Sequence, residues 1–363
     1  MGLLADQRAF ATNKLVAVVE MLKKEGISAE QALGGIPIPP AVLQDTATRM
    51  SVRHLLAGYR NAATLSGDPD FALNLGNSVQ ITSYGIYGFA MLSCPTHHAT
   101  IDFALRYHEL TCASANLGFR QEDSGEAAWT VRPVDEALDD SRLCRFVIEL
   151  NAATIVALAR DIVAPEYNPL WVRFAFARPS MPMNYESVFR CNVLFDQNVN
   201  EIGIPPGWLE RPTLRADRVT FNTVGPLCDQ MLSEERSRAG LAGDLRRILV
   251  ASVGRFPKID EMAHRLGMSP RTLRRRLVAE GVSYASLLNE TRAAIAKTYL
   301  RDSMLTIEDI ADRVGYSDAS NFRQAFHNWM GVSPSHYRRT CRSGESISDG
   351  SESPQLSAST AKR

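Results

Sequence analysis

TIEDIADRVGYSDASNFRQAFHNWMGVSPSHY, residues 306–337, is the stretch whose reading decides the fold. Thr306 and Asp309 stand at capping-box spacing, where a hydroxyl and an acid three residues later satisfy the first free backbone N–H groups of a helix. A helix is therefore expected from Ile307, with Ile307, Ile310, Ala311 and Val314 recurring at helical spacing as its buried stripe. Gly315 supplies a residue free to take positive φ at the turn, and Ser317 is placed to cap a second helix. On that helix Ala319, Phe322, Ala325, Phe326 and Trp329 form an inward face, leaving Ser320, Asn321, Arg323 and Gln324 outward. The outward face holds no acid. Its groups suit base edges in a major groove, where Asn and Gln pair with adenine and Arg with guanine. Gly331 ends the helix, and Ser333 with Pro334 opens a third. Taken alone, the segment also fits a helical hairpin packed inside a larger helical domain.

A second copy lies upstream. IDEMAHRLGMSPRTLRRRLVAE, residues 259–280, repeats the pattern with Ile259, Met262, Ala263 and Leu266 inside, Gly267 at the turn and Ser269 with Pro270 starting the next helix. Leu273, Leu277 and Val278 are expected inward, and Arg271, Thr272, Arg274, Arg275 and Arg276 outward. Arginine concentrated near a helix start opposes the macrodipole, a penalty that an anionic partner removes. Between the copies, Tyr284, Leu287, Leu288, Thr291, Ile295, Thr298 and Tyr299 mark a helix over residues 283–301. At 1.5 Å per residue such a rod spans about 28 Å, enough to present two reading helices roughly one DNA turn apart.

Charge follows the same division. Residues 244–342 carry 17 Lys and Arg against 10 Asp and Glu, a net of +7, whereas residues 1–243 carry 21 against 27, a net of −6. A basic C-terminal module on an acidic body is the pattern expected when one part alone meets phosphates. Six cysteines at 94, 112, 144, 191, 228 and 341 form no C-x-x-C pair, so they read as reduced thiols rather than a disulfide framework or zinc site. Cys94, His97, His98 and His108 lack a known metal-ligand spacing, and neither metal nor cofactor is expected. Charged residues interrupt the N-terminus, and no apolar run is long enough to span a membrane, so the expectation is a soluble, cytoplasmic protein.

The N-terminal part reads as α+β. Phe10, Leu15, Val18, Val19 and Leu22 share a helical face ended by Gly26, and further helical periodicity appears at Val52, Leu55, Leu56 and Tyr59 and at Phe71, Leu73 and Leu75. A helix carrying Ile101, Leu105, His108 and Leu110 follows Pro95. LGFRQE and AAWTVRP, separated by Asp123, Ser124 and Gly125, form a hairpin. A long helix is expected over 141–162, then a strand at WVRFAF (171–176), a helix at MNYESVF, and strands at NVLFD and EIGIPP. Tyr84, Tyr87, Arg106, Tyr107, Glu149 and Arg173, with Arg178, are candidate polar points in an apolar effector pocket. The expected organisation is a regulatory domain at 1–212, a linker at 213–243, an all-α DNA-binding domain at 244–342 and a serine-rich disordered tail at 343–363.

Residues 244–342 resemble the C-terminal domain of the AraC/XylS family of bacterial transcriptional regulators. The resemblance is carried by I-A-x-x-V-G-Y-S at 310–317, N-F-R-Q-A-F at 321–326, G-V-S-P-S-H-Y-R at 331–338 and MSPRTLRRRLVAEGVSY at 268–284. It implies base-facing positions at Arg271, Arg274 and Arg275 and at Ser320, Arg323 and Gln324, with a departure at His327 and Asn328, where family members often carry a phosphate-binding lysine. TSYGIYGFAMLSCPTHHATIDFALRY at 82–107 and the RFAFARP to VLFD region at 173–196 are similar to the effector domain of ornithine-utilisation-type regulators rather than to the β-barrel of the family's sugar-binding founder. What this implies is an effector-responsive regulator, an activator, with double-stranded DNA, a small-molecule effector, a second copy of the chain and RNA polymerase as partners. Two alternatives stand beside it: a repair or alkyl-transfer enzyme that uses the module as a DNA address, and an effector-independent DNA-binding protein. The first needs an activated cysteine, which the scattered thiols do not suggest.

Overall fold

The computed structural model describes residues 10–343 except 112, 123, 124, 182 and 239; the expected tail lies outside these residues apart from Ser343. The chain forms two compact units that divide after Asp244.

The first unit is built on the helix Ser141–Ile162, which buries Leu143, Phe146, Val147, Leu150, Val156 and Ile162. Asp140 caps it by accepting the N–H groups of Arg142 and Leu143. Burial of each large side chain contributes about 1.5–3 kcal/mol. The helix Phe71–Asn77 lies close against it because Gly76 has no Cβ: one placed there would stand 2.4 Å from the Leu150 carbonyl oxygen. Helices Asn13–Lys24 and Val52–Leu65 complete this layer. Phe10, expected on the first helix, instead sits in strand β1 (Phe10–Ala11), paired antiparallel with β2 (Arg49–Met50). The helix begins only after Thr12, whose hydroxyl is drawn to the Leu43 carbonyl at 2.6 Å.

A five-stranded sheet runs in the order β3 (Ala115–Gln121), β4 (Ala127–Pro133), β7 (Glu201–Ile204), β5 (Trp171–Arg173), β6 (Asn192–Leu194). The β3–β4 hairpin pairs Ala115 with Pro133 and Gln121 with Ala127. β7 is antiparallel to both β4 and β5, and β5 and β6 are parallel. The expected strand at 171–176 stops at Arg173, because Phe174 and Phe176 turn into an aromatic cluster with Phe195 and Tyr185. The helix expected through His108 and Leu110 ends at Arg106, and those two residues lie in a 3-10 turn at His108–Thr111. The stretch expected as a linker carries the helix Arg218–Arg238, and its Val224, Cys228 and Leu232 are buried in the first unit's core. That helix is part of the first unit rather than a linker between the two.

Among the described residues the second unit contains helices and no strand, with Ile259–Arg265, Pro270–Ala279, Tyr284–Asp302, Ile307–Arg313, Ala319–Met330 and Pro334–Ser343 in order. Thr306 and Asp309 form the expected capping box, and Ile310, Ala311 and Val314 are buried with Phe322, Phe326 and Tyr337. The middle helix contributes Leu287 near its start and Ala296 and Leu300 near its end, all fully buried. Leu273 and Leu277 of the first copy are inward, but Val278 is 70% exposed. Pro270 starts that helix one turn before Leu273, so the inward positions repeat at 273 and 277 and the next residue rotates outward.

Candidate nucleic-acid interface and effector pocket

In the first helix-turn-helix, Ser269 accepts the Thr272 N–H at 3.2 Å, and Pro270 occupies the first helical position, where no N–H is needed. The Thr272 and Ser269 hydroxyls lie 2.9 Å apart, so Thr272 is half-buried and engaged in the cap. Arg271, Arg274, Arg275 and Arg276 are all exposed, and no ion pair joins them to a carboxylate among the described residues. Four guanidinium groups on ten residues therefore face solvent without a local counter-charge, a strong attraction for phosphate.

The second helix-turn-helix is arranged differently. Its N-cap is Asp318, not Ser317 as expected. The carboxylate accepts the Asn321 backbone N–H at 2.8 Å with one oxygen and the Asn321 side-chain amide at 2.6 Å with the other. A single serine hydroxyl one residue earlier cannot do both. These hydrogen bonds, the backbone N–H of Asn321 foremost, hold the Asp318 carboxyl below the ordinary carboxylate range. Arg323 pairs with Glu308 of the preceding helix at 2.8 Å. Ser320, Asn321, Arg323 and Gln324 are all exposed, as the sequence pattern requires, yet two of the four are already held by acids outside their own outward face.

The two copies are tied together within the unit. Arg292 of the middle helix donates to the Gly315 carbonyl at 3.1 Å and lies over the rings of Phe256 and Tyr316 at 5.2 and 5.0 Å. The Gly254 N–H donates to the Arg313 carbonyl at 3.0 Å. Gly315 takes φ of +78°, and a Cβ there would press on Phe256 at 3.0 Å and on Arg292 at 3.1 Å. Neither Arg292 nor Phe256 stood out in the sequence, since both act across long separations.

In the first unit, a cleft of about 640 Å³ adjoins a smaller chamber of about 80 Å³. Tyr84 and Tyr87 line both. Burial keeps these phenols protonated, pushing Tyr84 up to about 12 and Tyr87 further in the same direction. Arg106, Tyr107, Glu149 and Arg173 line neither. Arg106 and the Tyr107 hydroxyl both reach Asp229, at 2.9 and 2.7 Å, and fasten helix His97–Arg106 to helix Arg218–Arg238. Glu149 is buried and accepts the Tyr185 hydroxyl at 2.5 Å, and desolvation raises its carboxyl to about 7. Arg173 stacks on Trp171 at 3.7 Å and pairs with Glu201, which also binds Arg120 at 3.0 Å. Arg178 pairs with Glu186. Charged residues of this kind serve internal ion pairs, so type alone did not separate them from pocket residues. His97, Lys14 and Asn151 do line the chamber, though nothing in their sequence surroundings marks them as pocket residues.

Cys94 and Cys228 are fully buried, and desolvation pushes both thiols up to about 11. His97 is buried whereas His98 is 38% exposed, and no group of three metal-ligating residues comes together among the described residues. No helix among them is long and apolar enough to cross a membrane.

A duplicated helix-turn-helix with exposed arginines, joined by one long helix and accompanied by a separate pocketed α+β unit, defines a DNA-binding regulator with a sensor domain. Comparison with known proteins makes this specific. Residues 26–213 match the family described as the arabinose-binding domain of AraC transcription regulator, and residues 262–340 match a helix-turn-helix domain. The ornithine utilization regulator of Pseudomonas aeruginosa is 30% identical over 322 residues, 89% of this chain and 94% of that protein. The HTH-type transcriptional regulator VqsM of the same species is 26% identical over 273 residues, 74% of this chain and 83% of its own length. Among solved structures, the transcriptional regulator CdpR from Pseudomonas aeruginosa aligns over 90% of this chain and 98% of its own, at 24% identity and a TM-score of 0.46. The chain belongs to the AraC family of DNA-binding transcriptional regulators.

Proposed function

We propose that this regulator reads a bipartite DNA site with its two helix-turn-helix copies and changes its DNA affinity when a small molecule occupies the pocket of its first unit. One observation carries the reading: two reading helices of opposite character flank one helix of 19 residues, about 28 Å long at 1.5 Å per residue. Arg271, Arg274, Arg275 and Arg276 supply phosphate and guanine contacts in one segment of the major groove. Ser320, Asn321, Arg323 and Gln324 read the next segment, and Thr272 supports the first through its hydrogen bonds to the capping residue Ser269. Arg292, Phe256 and Tyr316 hold the two readers at a fixed separation.

The alkyl-transfer alternative finds no support at Cys94 and Cys228, where burial pushes the thiols up to about 11 and makes them poor nucleophiles. Pairing of two chains is supported by Ile86, Phe89, Leu227 and Met231, exposed apolar residues on two helices that pack together in the first unit. Selection of binding sites from random DNA should return two half-sites centred about one helical turn apart. Arg275→Ala should then weaken binding by about 1–3 kcal/mol and relax one base position. A single contiguous half-site, or an unchanged footprint for both Arg275→Ala and Gln324→Ala, would refute the bipartite reading.

A further inference from the structure

The cleft and the smaller chamber of the first unit differ in what they offer a ligand. Lys14, Tyr84, Tyr87, Thr111, Asn151 and Thr154 line both, so the two are adjoining compartments. Away from these shared residues, the chamber wall includes the apolar Met91, Ile101, Leu117, Trp129, Leu158 and Ile162. No carboxylate lines the chamber, and Lys14, which also lines the cleft and lies 5.8 Å from the centre of the Tyr84 ring, is its one permanently charged residue. His108, also on the chamber wall, has its Nε2 2.7 Å from the Ala115 carbonyl oxygen, which accepts from it.

Among the polar groups of this lining, His97 is distinguished by a buried atom without a partner. It is 3% exposed, the Trp208 backbone is a hydrogen-bond partner of its ring, and its Nδ1 makes no hydrogen bond. Burial lowers its acidity range to about 4, so the ring is neutral at physiological pH. A buried polar atom left unpaired keeps an uncompensated desolvation cost, which a ligand of matching chemistry would recover. A hydroxyl group can donate or accept and therefore serves either tautomer of the imidazole. An ammonium group would find no carboxylate in the chamber, and a polyhydroxylated sugar would leave most of its hydroxyls facing hydrocarbon.

We infer that the smaller chamber is a subsite for an uncharged, mainly apolar molecule carrying one hydroxyl group, with the hydroxyl hydrogen-bonded to His97 and the apolar body against Trp129, Leu158 and Ile162. The remainder of a larger ligand extends into the cleft, whose size falls in the usual range for small-molecule sites of about 300–1,000 Å³. This assignment rests on the effector reading above and names the chemistry of that site.

Four probes that share one ring and differ in the polar group isolate the claim: phenol, toluene, benzoate and benzylammonium, titrated calorimetrically into the full chain at pH 7. Phenol is expected to bind about tenfold more tightly than each of the others, the effect of one hydrogen bond worth about 1.4 kcal/mol. In His97→Phe the advantage of phenol over toluene should fall to within about twofold, with toluene binding retained as the control for folding. Leu158→Trp, which fills the chamber, should abolish phenol binding while the thermal melting of the first unit stays cooperative. Equal binding of toluene or of either ion to the native chain, or an undiminished phenol preference in His97→Phe, overturns the assignment, as does failure of all four to bind. Phenol binding with no change in DNA affinity would instead count against the effector reading and leave the subsite standing.

Discussion

The two helix-turn-helix copies share a backbone plan and differ in how their outward side chains are held. In the first, Arg271, Arg274, Arg275 and Arg276 project without a carboxylate partner among the described residues. In the second, Asp318 holds the Asn321 amide at 2.6 Å and Glu308 holds Arg323 at 2.8 Å. Unpaired guanidinium groups favour any phosphate backbone, and their contribution falls steeply with salt. Side chains already oriented by neighbouring acids gain less from phosphate but lose less freedom on meeting a base edge. The proposed division gives affinity to the first copy and selectivity to the second.

The comparison can be broken most severely through the core of the second copy. Phe326 is fully buried and packs edge-on to Tyr337 with ring centres 5.6 Å apart. Phe326→Ala is expected to cost about 3–5 kcal/mol, seen as a lowered melting transition of the second unit, with the footprint shrinking to the arginine-contacted half-site. A next test sets the two turn glycines against each other. Gly267 has φ of +64° with open space where a Cβ would go, whereas Gly315 has φ of +78° and would press on Phe256. Both Ala substitutions cost backbone strain of about 1–3 kcal/mol, and Gly315→Ala should be the more damaging in chemical denaturation. Equal destabilisation by the two would show that the Phe256–Arg292–Tyr316 cluster does not constrain the turn. The smallest effect belongs to Glu308→Gln. The ion pair is half exposed, so stability should change by about 0.2–1 kcal/mol at most. Base preference opposite Arg323, measured by site selection, should broaden by more than that stability change suggests.

Much of this arrangement was legible in the sequence, for reasons that differ by region. Thr306 with Asp309, Ser269 with Pro270, and the glycines at 267 and 315 are local signals, and each marks the helix boundary it was expected to mark. Helix Ser141–Ile162 and the β3–β4 hairpin were equally plain, because periodicity and turn chemistry are properties of neighbouring residues. What escaped depends on partners far along the chain. Glu308 meets Arg323 fifteen residues away, and Arg292 meets Gly315 twenty-three away. The place of β7 between β4 and β5 has no local signature. In the first unit, Arg106, Tyr107, Glu149 and Arg173 looked like pocket residues because polar groups among apolar ones fit either a ligand site or an internal ion pair. In the structure they meet Asp229, Tyr185 and Glu201 in hydrogen bonds and ion pairs. His97 carried no such signal, since the burial of its unpaired Nδ1 depends on residues far along the chain.

The most direct test measures DNA affinity against salt concentration for three proteins: the native chain, Arg271→Ala/Arg274→Ala/Arg275→Ala, and Asn321→Ala/Arg323→Ala/Gln324→Ala. The first triple variant should flatten the slope of log K against log salt by about 0.9 for each phosphate that is no longer neutralised, and weaken specific and non-specific DNA alike. The second should change the slope by at most about 1 and remove chiefly the discrimination between selected and random DNA. Slopes that fall equally in both variants, or discrimination that disappears only in the first, would contradict the division of labour between the two copies.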